Sequence, residues 1–453
     1  MKRTTEQMLG SAPIGRVMLA LALPDFAANI ISCLYNIVDR IYIGRIPGVG
    51  SAALTGVGVA FPILTLITAF ANFAGSGGAP LAGIQLGAGR RDKAEKILSN
   101  SFGLLLIFGV SLTVFFELFG RPLLMLFGAS EATLPFGADY LSTYLLGTMF
   151  VQITVGLIPF IATQGRSGIA MMCVLTGAVL NILLDPLFIF TLGMGVQGAA
   201  LASVVSQAVS AVLVLAFLCG KSTSLRLRFA KLSAPVVKKI AGLGLAPFIM
   251  ASTESLITLT LNSTMQRWGG DLYVGSITIL QSILQFILIP VRSVSYGTQP
   301  LISFNYGAGR FTRVRAVWRR VMACSMFLSV TLSLLAIRFA EPLSQMFTTD
   351  DAALTALCGR GGRIFYLGMT VFGAQIACQA SFVGMGQAKA SLFAALLRKV
   401  ILMTPLVILL PLIFGGDPMS VYWAEPISDA VASAVTLMLY LHIRREVLPD
   451  RDA

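Results

Sequence analysis

Charge is scarce in this chain. Only 12% of its 453 residues are Asp, Glu, Lys or Arg, against 56% hydrophobic, and the mean hydropathy of +0.84 excludes a soluble domain, because a chain this apolar has too little polar surface to cover itself. There is one histidine, His442, beside Arg444 and Arg445; it reads as a membrane-surface residue, and no Ser/His/Asp arrangement can be built around it. Of the six cysteines, Cys33, Cys173, Cys219, Cys324 and Cys378 fall within or at the ends of apolar runs and Cys358 is isolated, so neither a disulfide framework nor Cys/His metal spacing emerges. A Walker A sequence is missing, since Gly384-Met385-Gly386-Gln387-Ala388-Lys389 lacks the pattern, which speaks against ATP hydrolysis within the chain. Gly193-Met194-Gly195-Val196-Gln197-Gly198 satisfies G-x-G-x-x-G, but it lies between two apolar runs with no acid about 20 residues beyond, and it reads as a turn. Asn262-Ser263-Thr264 is a formal glycosylation sequon inside an apolar run and reads as chance.

What the chain does have is apolar runs. At about 20 residues per spanning helix they fall near 17–43, 54–80, 98–119, 139–162, 171–192 and 198–219, then 241–266, 273–300, 321–340, 362–383, 399–414 and 420–442. The expectation is an all-α membrane protein of twelve transmembrane helices in two sets of six. The polar, basic residues 1–16 lead into the first run without a small-residue cleavage pattern and read as a signal anchor. The net charge of +13 is spread in short basic runs between spans rather than gathered in a domain, so it reports topology and not a nucleic-acid surface. Lys2, Arg3 and Arg16, then Arg90, Arg91, Lys93 and Lys96, then Arg166 alternate across successive runs. The basic segment 220–239, Arg310 to Arg320, then Lys389, Arg398 and Lys399, and finally Arg444, Arg445 and Arg451 take the same side. The opposite loops carry Glu131, Asp139, Glu341, Asp350, Asp351 and Asp417. Both termini are therefore expected in the cytoplasm.

The two sets of six repeat one another. Pro80-Leu81 and Gly87-Ala88-Gly89-Arg90 match Pro300-Leu301 and Gly307-Ala308-Gly309-Arg310 at an offset of 220, and Ala202, Ser206, Ala208 and Val209 match Ala424, Ser428, Ala430 and Val431 at 222. Six spans separate the copies, so both halves start on the same side and form parallel repeats. The expected organisation is an N-terminal lobe over 1–219, a cytoplasmic basic linker over 220–239 and a C-terminal lobe over 240–453. Such a duplication suits alternating access around a midplane cavity.

Polar groups inside the runs mark the candidate sites. Asn181 and Asp185 stand four apart in otherwise apolar sequence, so one helix face carries both. An ionisable group at that depth costs roughly 2.5 to 3.5 kcal/mol on insertion scales and is a functional-site hypothesis by default; the plain alternative is an acid near a helix end satisfied by water or a Lys. The first run carries Asp25, Asn29, Ser32, Asn36 and Asp39 at steps of four, three, four and three, a stripe that faces protein or water. Asp39, about 23 residues into its helix, and Asp185 both belong to the outer half, where Ser203 and Gln207 of the sixth run lie at comparable depth. Two carboxylates among Asn and Ser oxygens suit a small cation or a proton, the alternative being a structural ion pair with Arg40. In the second half Glu254, Thr258 and Asn262, then Gln281, Gln285 and Arg292, then Gln375 and Gln379, then Glu425 and Asp429 form stripes able to line an amphipathic, partly acidic cavity for organic cations, or simply to bond helix to helix.

The segments Leu34-Tyr35-Asn36-Ile37-Val38-Asp39, Gly87-Ala88-Gly89-Arg90, Leu180-Asn181-Ile182-Leu183-Leu184-Asp185-Pro186 and Gln299-Pro300-Leu301-Ile302-Ser303-Phe304-Asn305-Tyr306-Gly307 resemble, across nearly the whole chain, a bacterial multidrug and toxic compound extrusion (MATE) transporter of the DinF-like branch, near its MepA-like group. The resemblance implies a two-lobed, twelve-helix exporter of amphipathic, often cationic compounds, driven by inward Na+ or H+, in the bacterial cytoplasmic membrane, monomeric, with no cofactor beyond the coupling ion. It assigns Asp39, Asn181, Asp185 and Ser203, with Tyr35 and Asn36 beside them, to ion or proton coupling, with Na+ or H+ held at Asp39, Asn181 and Asp185. The chain departs from the family in lacking a fourth-run Asn around 155–160. Glu254 approximates the seventh-run acid of the NorM branch, but that branch's partner Asp on the tenth run is missing. A lipid-linked precursor flippase of the same wider superfamily, with Arg40 and Arg292 on a pyrophosphate, is the alternative function, and a passive channel the third.

Overall fold

The structure, a computed structural model, describes residues 5–221, 223–347, 351–449 and 452; Lys2, Arg3, Asp350 and Arg451 lie outside the described residues. Among the described residues every regular element is helical and there is no strand, as backbone in hydrocarbon requires: without water, each N–H and C=O must be paired within its own segment. After the short α1 (Thr5–Ser11) come α2 (Ile14–Gly44), α3 (Gly50–Gly87), α4 (Arg91–Leu126), α5 (Leu134–Leu145), α6 (Thr148–Thr163), α7 (Ser167–Pro186) and α8 (Gly195–Cys219). Then follow α9 (Ala234–Gly297), α10 (Gln299–Gly307), α11 (Phe311–Arg338), α12 (Ala340–Gln345), α13 (Ala352–Phe365), α14 (Met369–Gly384), α15 (Ala388–Leu396), α16 (Thr404–Ile413) and α17 (Ala424–Val447). A π-helical turn, Leu187–Thr191, extends α7, and another, Leu397–Met403, joins α15 to α16.

Nine helical stretches of the described residues are long and apolar enough to cross a bilayer, or eleven when α5 with α6 and α13 with α14 are each taken as one bent span. The expected twelve requires α9 to be counted twice. Its 64 residues would run about 96 Å as one rod, some three bilayer cores, and Gly270, at φ 69 and ψ −168, interrupts the helix within it.

The duplication read from the sequence is built into the backbone. Gly89 and Gly309 both take φ 70. In each turn the next residue's N–H returns to the preceding helix, Arg90 to Gln85 O at 2.8 Å and Arg310 to Asn305 O at 2.9 Å. That left-handed φ is open to glycine and strained for other residues, which accounts for the second glycine of G-A-G-R at both places. The bends repeat as well, 62° between α5 and α6 and 51° between α13 and α14.

The chain divides into two compact units, one made of Met1–Ser11 and Leu23–Phe248, the other of Ala12–Ala22 and Ile249–Ala453. The first is cored by Ile63, Ile67, Leu112, Phe116, Leu141 and Val151, the second by Leu280, Val291, Phe365, Met369 and Tyr422 among others. The basic segment after α8 is pinned to the first unit. Gln164 Oε1 accepts from the Thr223 hydroxyl at 2.6 Å and from Ser224 N and Leu225 N at 2.7 and 3.0 Å. Buried Glu95 accepts from Arg226 N at 3.2 Å and pairs with Arg228 at 3.1 Å and Arg91 at 3.4 Å, while Asn100 Oδ1 takes Ser233 N at 2.7 Å.

Candidate functional site

In the first unit, four helices converge on Asp39 and Asp185. The three-and-four spacing of α2 turns Asp39 inward, where it is 8% exposed, while its neighbour Arg40 points away and lays its guanidinium over the Phe61 ring, 4.5 Å from the centroid. Near the end of α7, Asp185 is fully buried and Asn181, one turn earlier, nearly so. Asn181 Nδ2 lies 3.3 Å from Asp185 Oδ1 and 3.3 Å from the Ser203 hydroxyl on α8, so one amide ties the two helices together. Asp39 and Asp185 are near enough to repel each other, and the charge of Asp39 also reaches Tyr35 on its own helix and Tyr140 and Tyr144 on α5.

Three oxygens in this cluster, Asp39 Oδ1, Asn181 Oδ1 and Asp185 Oδ2, are buried with no hydrogen-bond partner. Buried acceptors left this way carry a desolvation cost that a proton or a cation removes. Arg40 does not supply it: its charge is felt by Asp39, but no ion pair joins it to either acid. Tyr140 and Tyr144, stacked at 6.0 Å, were missed in the sequence; their i, i+4 spacing in an apolar run was the available signal.

The other stripe residues are placed less centrally. Asn29 turns back on its own helix to bond Asp25 O at 2.9 Å and Asp25 Oδ2 at 3.0 Å, and Asn36 bonds Ser32 O at 2.6 Å. Gln207 has a buried, unpartnered Oε1, and its carbonyl accepts from Thr154 of α6 at 3.3 Å.

The second unit holds a charge network that corrects the sequence reading. Arg398 and Lys399, expected as cytoplasmic bases at a span boundary, lie within the apolar stretch Ala388–Ile413, about 15 Å along it at 1.5 Å per residue. Both side chains are buried and paired. Arg398 bonds Asp429 through Nε and Glu425 through Nη2, each at 2.6 Å, and sits 4.1 Å above the Phe372 ring. Lys399 Nζ bonds Glu254 on α9 and reaches Met250 O at 3.4 Å. Arg292 acts electrostatically on both Glu254 and Lys399. Embedded bases therefore balance embedded acids here, Arg292, Arg398 and Lys399 against Glu254, Glu425 and Asp429. Gly368, at the bend between α13 and α14, allows this packing: a Cβ there would fall 2.8 Å from Pro426 Cα and 2.9 Å from Asp429 Oδ2.

Glu254, Gln281, Gln285, Lys399 and Glu425 line one cleft of the second unit together with apolar side chains. Gln375 is buried with an orphaned Oε1, and Gln379 donates to Ser391 O at 3.0 Å and Ser391 Oγ at 2.9 Å, a bond between neighbouring helices and not part of the cleft.

Duplicated bundles of membrane-length helices, each with buried charge, define a polytopic membrane protein, and its family and relatives make it a transporter and not an enzyme. A family model described as MatE matches residues 24–187 and 247–409, and the chain belongs to that family. It is 24% identical over 451 residues, 97% of this chain and 96% of the relative, to the multidrug export protein MepA of Staphylococcus haemolyticus. It is 30% identical over 363 residues, 76% of each chain, to a protein of Shewanella oneidensis named FAD transporter. Among solved structures, MATE in the bent conformation superposes with a TM-score of 0.91 at 22% identity over 99% of both chains. A MOP superfamily transporter of Pyrococcus furiosus, described by the reversed polarity of its binding pocket, does so at 0.91 and 22% over 100% of both.

Proposed function

We propose that this protein is a secondary active multidrug exporter of the bacterial cytoplasmic membrane, both termini cytoplasmic, moving amphipathic organic cations outward in exchange for Na+ or H+. The observation that carries this reading is the trio of buried, unpartnered oxygens on Asp39, Asn181 and Asp185. A proton or Na+ arriving there removes the repulsion between the two acids and supplies the missing partner, and because Asp39 rides on α2 and Asp185 on α7, loading changes how these helices hold together. Ser203 and Tyr140 complete the oxygen lining. The energy scale suffices: a one-for-one exchange of monovalent cations moves no net charge, so a tenfold Na+ or H+ gradient, about 1.4 kcal/mol, holds about a tenfold substrate gradient, and each further ion carried inward adds roughly 2.3 kcal/mol per 100 mV. Similarity to proteins named multidrug export protein MepA supports the export of drugs.

A second reading is transport of a phosphate-bearing molecule. The relative named FAD transporter and the embedded Arg398 and Lys399 favour it, but each of these bases is matched by a carboxylate. A flippase grip by Arg40 and Arg292 has less support, because Arg40 is spent on Phe61 and Arg292 faces Glu254 and Lys399. Proteoliposomes with independently imposed Na+ and pH gradients test the main reading. Ethidium should accumulate against its gradient only when one of the two ion gradients is present; dye flux indifferent to both, or FAD moved in its place, removes it.

A further inference from the structure

Two adjacent bases of the π-helical turn are held in opposite ways. Arg398 is locked: its planar guanidinium takes two carboxylates at 2.6 Å, stacks on Phe372, and its carbonyl accepts from the Ser428 hydroxyl at 3.0 Å. Its partners Glu425 and Asp429 are 9% and 0% exposed, so this is a fixed fork-to-carboxylate junction. Lys399 offers a single ammonium on a flexible four-carbon stem to one carboxylate. Its own side chain is 6% exposed, while that of Glu254 is 47% exposed. Glu254 therefore presents part of its carboxylate to the cleft with Lys399 lying on the protein side of it.

The cleft is an amphipathic wall. Ile257, Leu288, Phe365 and Met403 supply the apolar face, and Gln281 and Gln285 the neutral polar one, the mixture that suits a greasy cation; the cleft's volume, about 60 Å³, means a bulky cation enters only as the cleft widens. Lys399 also has somewhere to go. Met250 O, one helical turn before Glu254, is already 3.4 Å from its Nζ, so the ammonium can leave the carboxylate without losing every acceptor. Strongly hydrated and rotatable, a lysine is the kind of base that exchanges partners; an arginine held at two points is not.

We propose that Lys399 is a tethered counter-ion that occupies Glu254 between substrates, so that an organic cation entering the cleft must displace it, and that Lys399 thereby sets the affinity for such cations. The inference rests on the reading that this protein exports organic cations. It makes Glu254 the substrate acid of the second unit and leaves ion coupling to the first.

The test is calorimetric binding of tetraphenylphosphonium to the purified full-length protein in nanodiscs, with uncharged triphenylphosphine oxide as control. Lys399→Met should tighten the cation about tenfold by removing its competitor and leave the neutral ligand unchanged; Lys399→Arg should not tighten it. In a chain that keeps Lys399, Glu254→Gln should weaken the cation by about tenfold, which decides the matter even where Lys399→Met does not assemble. Unchanged or weaker cation binding in Lys399→Met, equal shifts for cation and neutral ligand, or wild-type affinity in Glu254→Gln overturns the inference while leaving export intact. Failure of the wild type and every variant to bind the cation overturns this inference and the substrate reading together.

Discussion

Asn181 and Asp185 lie one turn apart on α7 with 3.3 Å between amide nitrogen and carboxylate oxygen, and the same amide nitrogen is 3.3 Å from the Ser203 hydroxyl on α8. An amide nitrogen shared in this way leaves the second carboxylate oxygen of Asp185 unpartnered, facing the charge of Asp39. In the proposed scheme, neutralising either acid removes the charge that recruits the coupling ion while preserving shape. Asp39→Asn and Asp185→Asn are each expected to abolish gradient-driven ethidium efflux while the protein still inserts and purifies as a monodisperse species. Wild-type efflux from both variants would remove the coupling scheme.

Asn181 orients Asp185 and Ser203 through its amide nitrogen, and in the proposed coupling scheme its unpartnered oxygen is also an ion ligand. Asn181→Ala deletes two hydrogen bonds and one orphaned oxygen, which at about 1 kcal/mol per bond corresponds to a shift of about tenfold or more in the ion concentration that half-saturates transport. The maximal rate should fall less than the apparent ion affinity. The measurement is the efflux rate as a function of imposed Na+ or H+ concentration, and an unshifted midpoint would show that the amide has no part in ion binding.

Arg398 is the charge the second unit can least lose. Arg398→Met strands Glu425 and Asp429 together in the interior, a situation that costs about 3–5 kcal/mol when one partner of a buried pair is removed. Arg398→Lys keeps the charge but not the two-point fork and should fall between. Thermal unfolding followed by intrinsic fluorescence should show the order wild type, then Lys, then Met; a Met variant as stable as wild type would mean the network is dispensable.

Gln164 holds the segment after α8 with a single side-chain oxygen that accepts three hydrogen bonds. In Gln164→Ala the N–H groups of Ser224 and Leu225 lose their partner. Their amide hydrogen exchange should speed up by about tenfold or more, as expected for the loss of bonds worth about 1 kcal/mol each. Exchange across α11, in the other unit, should stay at the wild-type rate. Unaltered exchange at 223–225 would show that the segment is held by Glu95 and Asn100 alone.

The amino-acid order by itself determined the class of the molecule, because a bilayer accepts only long apolar helices and the chain is written as a series of them. It determined the duplication too, through a G-A-G-R turn whose third residue needs a left-handed φ that glycine takes without strain. The pairing of Asp185 with Asn181 was also legible, since four residues of helix bring two side chains to one face. The tertiary structure alone decided what the embedded bases do. Glu254 and Lys399 are 145 residues apart, and Arg398 and Asp429 are 31 apart, and no local period reports a contact across such distances. Read along the chain, Arg398-Lys399 looked like the edge of a span, because a base without a visible partner belongs at the interface. Folding provides the partners, and with carboxylates on α9 and α17 to neutralise them the two bases sit inside the span.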